Sequence, residues 1–346
     1  MKRAFLLSFM VLLLAACQNA AEEPATEAEA EQFEVVTAVA IEPEGQIQQV
    51  HDPVMAYEDG MYYVFSTGRR IPVICSPDKI AWESCGRVFD RNPAWTRDIN
   101  PDLVDIWAPD ISYFNGRWHL YYAVSNFGTQ NSAIGLATNS TLNPSSPDFA
   151  WVDEGIVLRS QSGDLWNAID ANLVLDEAGE PWLVWGSFWS GLWLGKIDAA
   201  TGQLDPDKAN YYHLADRYAG PDNDPAIEAP FLVKRGDYWY LFASFDQCCQ
   251  GVASTYDVRV GRSQLLIGPY VDRDGVPLRE AGGTLILSEY DHWKGPGHNG
   301  IFVEDGVYWI VYHAYDANQI GIPKLRIEAL GWDAEGWPVL ASQTQE

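Results

Sequence analysis

The sequence predicts an all-β fold, a five-bladed β-propeller, from three observations. One plan, a polar residue, a short apolar strand, a glycine turn and an aromatic-rich strand, occurs five times. The turn glycines, Gly60, Gly116, Gly179, Gly236 and Gly306, stand 56, 63, 57 and 70 residues apart. No long stretch carries the 3.6-residue period of an amphipathic helix. A repeat of about 60 residues has room for four strands, and four-stranded units set radially make a propeller. A β-sandwich would leave the shared turn position to coincidence.

The elements follow in order. Residues 1–16 read as an export leader: Lys2 and Arg3, an apolar run over 4–14, then Ala15-Ala16 before Cys17. The run is shorter than the roughly 20 residues of a membrane-spanning helix. The pattern resembles a bacterial lipoprotein signal, which implies a lipid on Cys17; Gln18 beside it resembles outer-membrane sorting. Residues 17–34 are rich in Ala and Glu, with Phe33 as the one large apolar group. Such a segment cannot bury enough surface to fold and reads as a tether. Residues 35–346 are the propeller, whose repeats begin DPVMAYEDG at Asp52, APDISYFNG at Ala108, DANLVLDEAG at Asp170, EAPFLVKRG at Glu228 and HNGIFVEDG at His298. Asp-Gly, Asn-Gly and Arg-Gly between apolar runs are hairpin signals, since glycine accepts positive φ. The flanking Val, Ile, Tyr, Phe and Trp suit half-buried strands.

The formal charge is −26. Nucleic acid is thereby excluded as a partner, because phosphate binding needs clustered Lys and Arg. A neutral substrate is not repelled. With Cys17 assigned to the lipid, Cys75, Cys85, Cys248 and Cys249 remain. Export permits disulfides: Cys75 and Cys85 could bridge, and Cys248 with Cys249 could form a vicinal pair. Their spacing does not suit tetrahedral zinc.

Counting back eight residues from the turn glycine, or nine in the third repeat, puts Asp52, Ala108, Asp170, Glu228 and His298 at one structural position. In a propeller such positions surround the axis at one mouth. Asp110 lies two residues along the same strand face. Three converging carboxylates are unfavourable unless protons, cations or function compensate. They also supply what glycosidic cleavage needs: an acid for the leaving oxygen, a base for water, and a third group to tune the acid. No nucleophile elbow and no phosphate loop competes with this reading.

Asp52 in His51-Asp52-Pro53, Asp110 in Trp107-Ala108-Pro109-Asp110, Asp170 in NAID and Glu228 in IEAP together resemble glycoside hydrolase family 43. The resemblance implies a five-bladed propeller and an inverting mechanism, with Asp52 as general base, Glu228 as general acid, and Asp170 orienting Glu228 and raising its pKa. GPGHNG from Gly295, SFDQCCQG from Ser244 and GSFWSGLW from Gly186 are similar to the arabinanases of that family. They imply an endo-acting enzyme on α-1,5-linked L-arabinan, the side-chain polymer of pectin, or on arabino-oligosaccharides. Also implied are a divalent metal at His298, Ca²⁺ bound largely through water, and substrate contacts at Trp107, Asp110, Phe127, Gly128, Asn167, Phe188, Trp189 and Ser190. Calcium itself prefers oxygen ligands, so the metal expectation rests on the resemblance. A β-xylosidase or α-L-arabinofuranosidase of the same fold is the first alternative, and a non-catalytic glycan-binding lipoprotein the second. The expected state is an exported monomer, lipid-anchored to a bacterial membrane.

Overall fold

Strands of alternating facing pack so densely here because each blade is covered on both sides. The structure, a computed structural model, describes residues 34–217 and 225–344; the leader, Cys17 and the tether up to Phe33 lie outside them. The first blade is formed by Val54–Glu58, Met61–Phe65, Pro72–Ser76 and Ala81–Arg87, with Glu44–Gly45 added in parallel at its edge. The second is Trp107–Phe114, Arg117–Val124, Ser132–Asn139 and Val152–Ser160. The third is Asn172–Leu175, Pro181–Trp185, Leu192–Lys196 and Tyr212–Ala215. The fourth is Ile227–Arg235, Tyr238–Phe245, Asp257–Ser263 and Thr284–Leu287. The fifth takes Trp293–Glu304, Val307–Asp316 and Ile322–Ala329 from the C-terminal end and Val39–Ile41 from the N-terminal end. That last strand pairs Val39 with Ala329 and Ile41 with Ile327, so the two ends of the propeller close one blade. No helix among the described residues is long and apolar enough to cross a membrane.

The core lies between blades. In the second strand of blade two, Leu120, Tyr122 and Val124 pack toward blade one, while Tyr121 packs toward blade three. Leu183 and Trp185 face blade two, and Val184 faces blade four. Leu241 and Ala243 face blade three, and Tyr240 and Phe242 face blade five. Ile310 and Tyr312 face blade four, and Val311 joins Val64 of blade one. Period-2 alternation on strands buried on both faces gives the continuous apolar runs seen in the sequence. A fully buried aromatic such as Trp185 is worth about 3–5 kcal/mol against truncation to alanine.

The hairpins correct the register read from sequence. In Asp59-Gly60, Asn115-Gly116 and Asp305-Gly306 both turn residues have positive φ and glycine stands second, the type I′ pattern. In the fourth blade the two-residue loop is Gly236-Asp237, with glycine first and alone in having positive φ, the type II′ pattern. Counting back from Gly236 therefore overshoots by one. The position equivalent to Asp52, Ala108, Asp170 and His298 is Ala229, not Glu228. All five have left-handed backbone, with φ of 52°, 41°, 56°, 51° and 48° for Asp52, Ala108, Asp170, Ala229 and His298. Glu228 precedes that ring by one residue and is in line with His51, Trp107, Ile169 and Gly297.

Candidate active site

Left-handed backbone is costly for residues other than glycine and persists only where surroundings hold it. Here side chains of neighbouring strands hold it. Asp52 N–H donates to His313 Nδ1 (3.1 Å), Ala108 N–H to Thr67 Oγ1 (2.8 Å), Ala229 N–H to Asp170 Oδ2 (3.0 Å) and His298 N–H to Ser244 Oγ (2.8 Å). In blades one, two and four the next residue is proline, which has no N–H to leave unpaired at the break in the ladder.

The first carboxylate, Asp52, is buried and fully engaged. Thr67 Oγ1 donates to Oδ2 at 2.5 Å, and His51 Nδ1 and His298 Nδ1 approach Oδ1 at 2.8 and 3.1 Å. Burial alone would push this carboxyl up, but His298 and then His51 outweigh it and hold it well below the usual range. A relay fixes His51: Cys249 N–H donates to Tyr315 Oη (2.9 Å), which meets His51 Nε2 at 2.7 Å. His51 also stacks on His313, with centroids 3.7 Å apart. The structure joins Cys248 to Cys249 and Cys75 to Cys85 as disulfides, so the vicinal pair sits at the far end of the relay.

Glu228 is held by two residues the sequence reading did not name. Ser187 Oγ donates to Oε2 and Tyr256 Oη to Oε1, both at 2.8 Å. Tyr256 packs against Gly297, where an added Cβ would stand 2.2 Å from the ring. Burial, then Glu228, Asp170 and Asp52 together, push the Tyr256 hydroxyl well above its ordinary range, so it stays a donor. Tyr256 and His298 each feel all three acids, which places the three in one electrostatic neighbourhood. Asp170 is pushed up to about 8: burial leads, Glu228 and Asp52 add to it, and His298 opposes. At neutral pH Asp170 therefore keeps a proton.

The expected substrate contacts divide. Phe188 and Trp189 lie on the loop after Pro181–Trp185, both with positive φ, and Phe188 N–H donates to the carbonyl of Ile227, next to Glu228. The loop needs Gly186, whose Cβ would meet the Gly191 carbonyl at 2.3 Å. Trp107 is half-buried at the start of the inner strand of blade two. Asn167 is buried, and its Oδ1 accepts from Ser132. Ser190 Oγ is taken by the Leu165 carbonyl and by Trp193 Nε1. Phe127 is 80% exposed on the loop that carries Gly128, and takes no part in the hydrogen-bonded cluster. Asp110 does not fit a substrate contact. It is buried, and its oxygens accept from Asn172 Nδ2 (3.0 Å) and Leu173 N–H (2.8 Å). Asn172 makes the same kind of tie to Leu232 N–H in the next blade. Asp110 is an inter-blade strut, pushed up to about 7 chiefly by burial.

Donor chemistry decides where a cation fits. His51, Asp52 and His313 bring ligand atoms within 4.8 Å of one another. Yet His313 Nδ1 already accepts Asp52 N–H, so its ring proton is on Nε2, a buried atom without a partner. Burial, with His51 and His298 nearby, keeps that imidazole's pKa well below its ordinary value. This trio is committed to holding itself. His298 fits better, provided it gives up a proton: against burial, Asp52 and Asp170 push its pKa up to about 9, Nδ1 faces Asp52, and a cation at Nε2 would replace the proton there, the arrangement in which a carboxylate orients a metal-binding imidazole. The other oxygen ligands of a hard ion would then be water.

Residues 46–338 match the family described as Glycosyl hydrolases family 43. The chain is 43% identical over 296 residues to the extracellular exo-α-(1→5)-L-arabinofuranosidase ArbA of Cellvibrio japonicus, covering 84% of this chain and 85% of that protein. It is 44% identical over 294 residues to the extracellular endo-α-(1→5)-L-arabinanase 1 of Bacillus subtilis, covering 84% and 87%. A Cellvibrio cellulosa α-L-arabinanase structure complexed with arabinohexaose superposes with a TM-score of 0.81 at 41% identity, over 86% of this chain and 97% of that one. A five-bladed ring, acids gathered near its axis and a match across most of the chain lead to one conclusion: this protein belongs to glycosyl hydrolases family 43, and it is a glycoside hydrolase.

Proposed function

We propose that the enzyme hydrolyses α-1,5-linked L-arabinan with inversion, by internal cleavage. In this reading Asp52 is the general base and Glu228 the general acid. Asp52, kept ionised by His298 and His51, takes a proton from water on one face of the sugar. Glu228, oriented by Ser187 and Tyr256, serves the leaving oxygen on the other. Asp170 holds the proton that keeps three crowded acids from all being charged, and its Oδ2 fixes the Ala229 N–H beside Glu228. A divalent cation on His298 would supply positive charge beside the carboxylates. Trp107, Phe188 and Trp189 are the sugar platforms.

The observation that carries the reading is the set of contacts that joins blades one, three, four and five: His298 Nδ1 lies 3.1 Å from Asp52 Oδ1, Asp170 Oδ2 accepts the N–H of Ala229, and Glu228 beside it accepts from Ser187 and Tyr256. The test is reducing-sugar release from debranched arabinan by wild type and Glu228→Gln. A loss of at least about a hundredfold is expected for removing a general acid; equal rates would remove the assignment. The Cellvibrio relative, named as an exo-enzyme, favours chain-end cleavage as a second reading. Early products spread over many lengths support internal cleavage, and one short product from the start supports the other. Residues 1–16 are proposed as a leader and Cys17 as a lipid site, consistent with relatives named extracellular. Mass spectrometry of the membrane-extracted protein checks both.

A further inference from the structure

The first two blades flank a cleft of about 1030 Å³ that the proposed reaction does not use. Four arginines, Arg69, Arg70, Arg91 and Arg97, line it, against one carboxylate, Asp153, in a chain of net charge −26. Asp153 is already engaged by Tyr122 Oη and Trp95 Nε1. Several basic side chains elsewhere have acids beside them: Lys79 with Glu304, Arg217 with Asp246, Arg259 with Asp257, Lys324 with Asp316. Among the described residues, none of the four cleft arginines makes an ion pair. Arg70 Nη1 donates to the backbone carbonyl of Asp90. Asn92 also lines the cleft. Trp151 adds an apolar wall.

We propose that this cleft is a second glycan site that binds the carboxylates of an acidic, uronate-bearing polysaccharide. Guanidinium groups pair with carboxylates two bonds at a time. Four cations lining one cleft repel one another until an anion enters. A sugar face packs on Trp151. The position links this cleft to the axis. Arg69 and Arg70 follow Thr67, which donates to Asp52, and Gly68, which pairs with Ile106 beside Trp107. A polymer with neutral branches and an acidic backbone would engage both places at once. Choosing a uronate over another polyanion rests on the proposed substrate, because arabinan is borne on pectin, whose backbone carries uronates; the anion site itself does not rest on it.

The test is affinity electrophoresis of the full protein in gels containing polygalacturonate, fully methyl-esterified polygalacturonate, debranched arabinan or dextran sulfate, for wild type and Arg91→Gln/Arg97→Gln. Polygalacturonate should retard the wild type and its ester should not. The double variant should lose affinity by about tenfold or more, as for lost charge-assisted bonds, while its rate on debranched arabinan stays within twofold. Equal retardation of the two proteins, or no retardation of the wild type, overturns the site. Dextran sulfate held as tightly as polygalacturonate, with the same dependence on Arg91 and Arg97, overturns the uronate assignment. Polygalacturonate binding without arabinan hydrolysis would instead sink the proposed substrate and leave the cleft standing.

Discussion

Thr67 makes two bonds with one oxygen, and replacing it by valine separates what each contributes. Its hydroxyl donates to Asp52 Oδ2 at 2.5 Å, and the same oxygen accepts the N–H of Ala108 at 2.8 Å. Valine keeps the shape and removes both. A hydrogen bond to a charged group is worth about 1.5–3 kcal/mol. If that bond positions the base, Thr67→Val should lower kcat by about tenfold to a hundredfold, at roughly 1.4 kcal/mol per decade. KM should hold, because Thr67 is not among the sugar platforms. The acid limb of the pH profile should move to higher pH, since losing a donor to the ionised form raises a carboxyl's pKa. Ala108, 2% exposed, is left with an orphaned N–H, which costs stability by about 1–3 kcal/mol. Steady-state rates on debranched arabinan and a denaturant melt read the two effects separately. Thr67→Ser keeps the oxygen and should restore both. Thr67→Val within twofold of wild type, or Thr67→Ser no better than Thr67→Val, would refute the account of how Asp52 is held.

Other outcomes follow from the same geometry. Tyr315→Phe cuts the relay from Cys249 to His51; kcat should fall about fivefold, the cost of one net hydrogen bond, with KM unchanged. His298→Ala should abolish stoichiometric divalent metal in elemental analysis of the purified protein; a metal-free wild type that ignores chelators would end the cation proposal. Asp110 at about 7 and Asp170 at about 8 are both raised above the unfolded value. Their contribution is full below about pH 4 and lost as pH rises through those values, so the denaturant midpoint should fall between pH 4 and 8. Asp110→Asn should flatten part of that slope.

The blades were legible because a strand buried on both faces must be apolar at every position, as in Tyr62–Phe65, and because a two-residue hairpin demands glycine at a fixed place. Asp52 and Asp170 were legible because a count from that glycine lands on their shared position; Glu228 was reached only because the fourth turn carries its glycine one place earlier, so the count falls one residue before Ala229. Ser187 and Thr67 were missed, although both end repeat segments that were already aligned: YYVFST, LYYAVS, WLVWGS and YLFAS each close on Ser or Thr. Thr67 and Ser244 brace the left-handed residue of the next blade, and Ser187 holds Glu228. The fifth repeat closes on YHA, with His313 doing the bracing for Asp52. A hydroxyl at a strand end is the ordinary solvated case, so the pattern means something only once the ring is closed. Tyr256 could not be found this way, since its role depends on Gly297 making room for its ring. Asp110 misled because the rule that residues two apart share a face needs an unbroken ladder, and left-handed Ala108, with the register shift between Trp107 and Asp110, breaks it and leaves Asp110 bonded to the next blade.

The one-residue offset of Glu228 bears on how a pseudo-symmetric ring comes to carry asymmetric chemistry. Had the fourth blade kept a glycine-second turn and the count been right, its acid would occupy the left-handed position that Asp52 and Asp170 hold. That position pins its residue by the backbone: Asp52 is fixed by His313 and Ala229 by Asp170. Placing the acid there would give three carboxylates the same approach to the axis, with nothing to set one apart from the others. Moving it back by one puts alanine on the pinned residue and the glutamate on its neighbour, whose side chain leaves an extended backbone on the other side. The longer side chain then reaches Ser187 and Tyr256, two neutral donors, whereas Asp52 faces imidazoles. Two acids in one ring thus receive different partners, and in the proposed mechanism that difference lets Glu228 give a proton while Asp52 takes one. His51, at the equivalent place in blade one, uses the same offset to reach Asp52 from beside it.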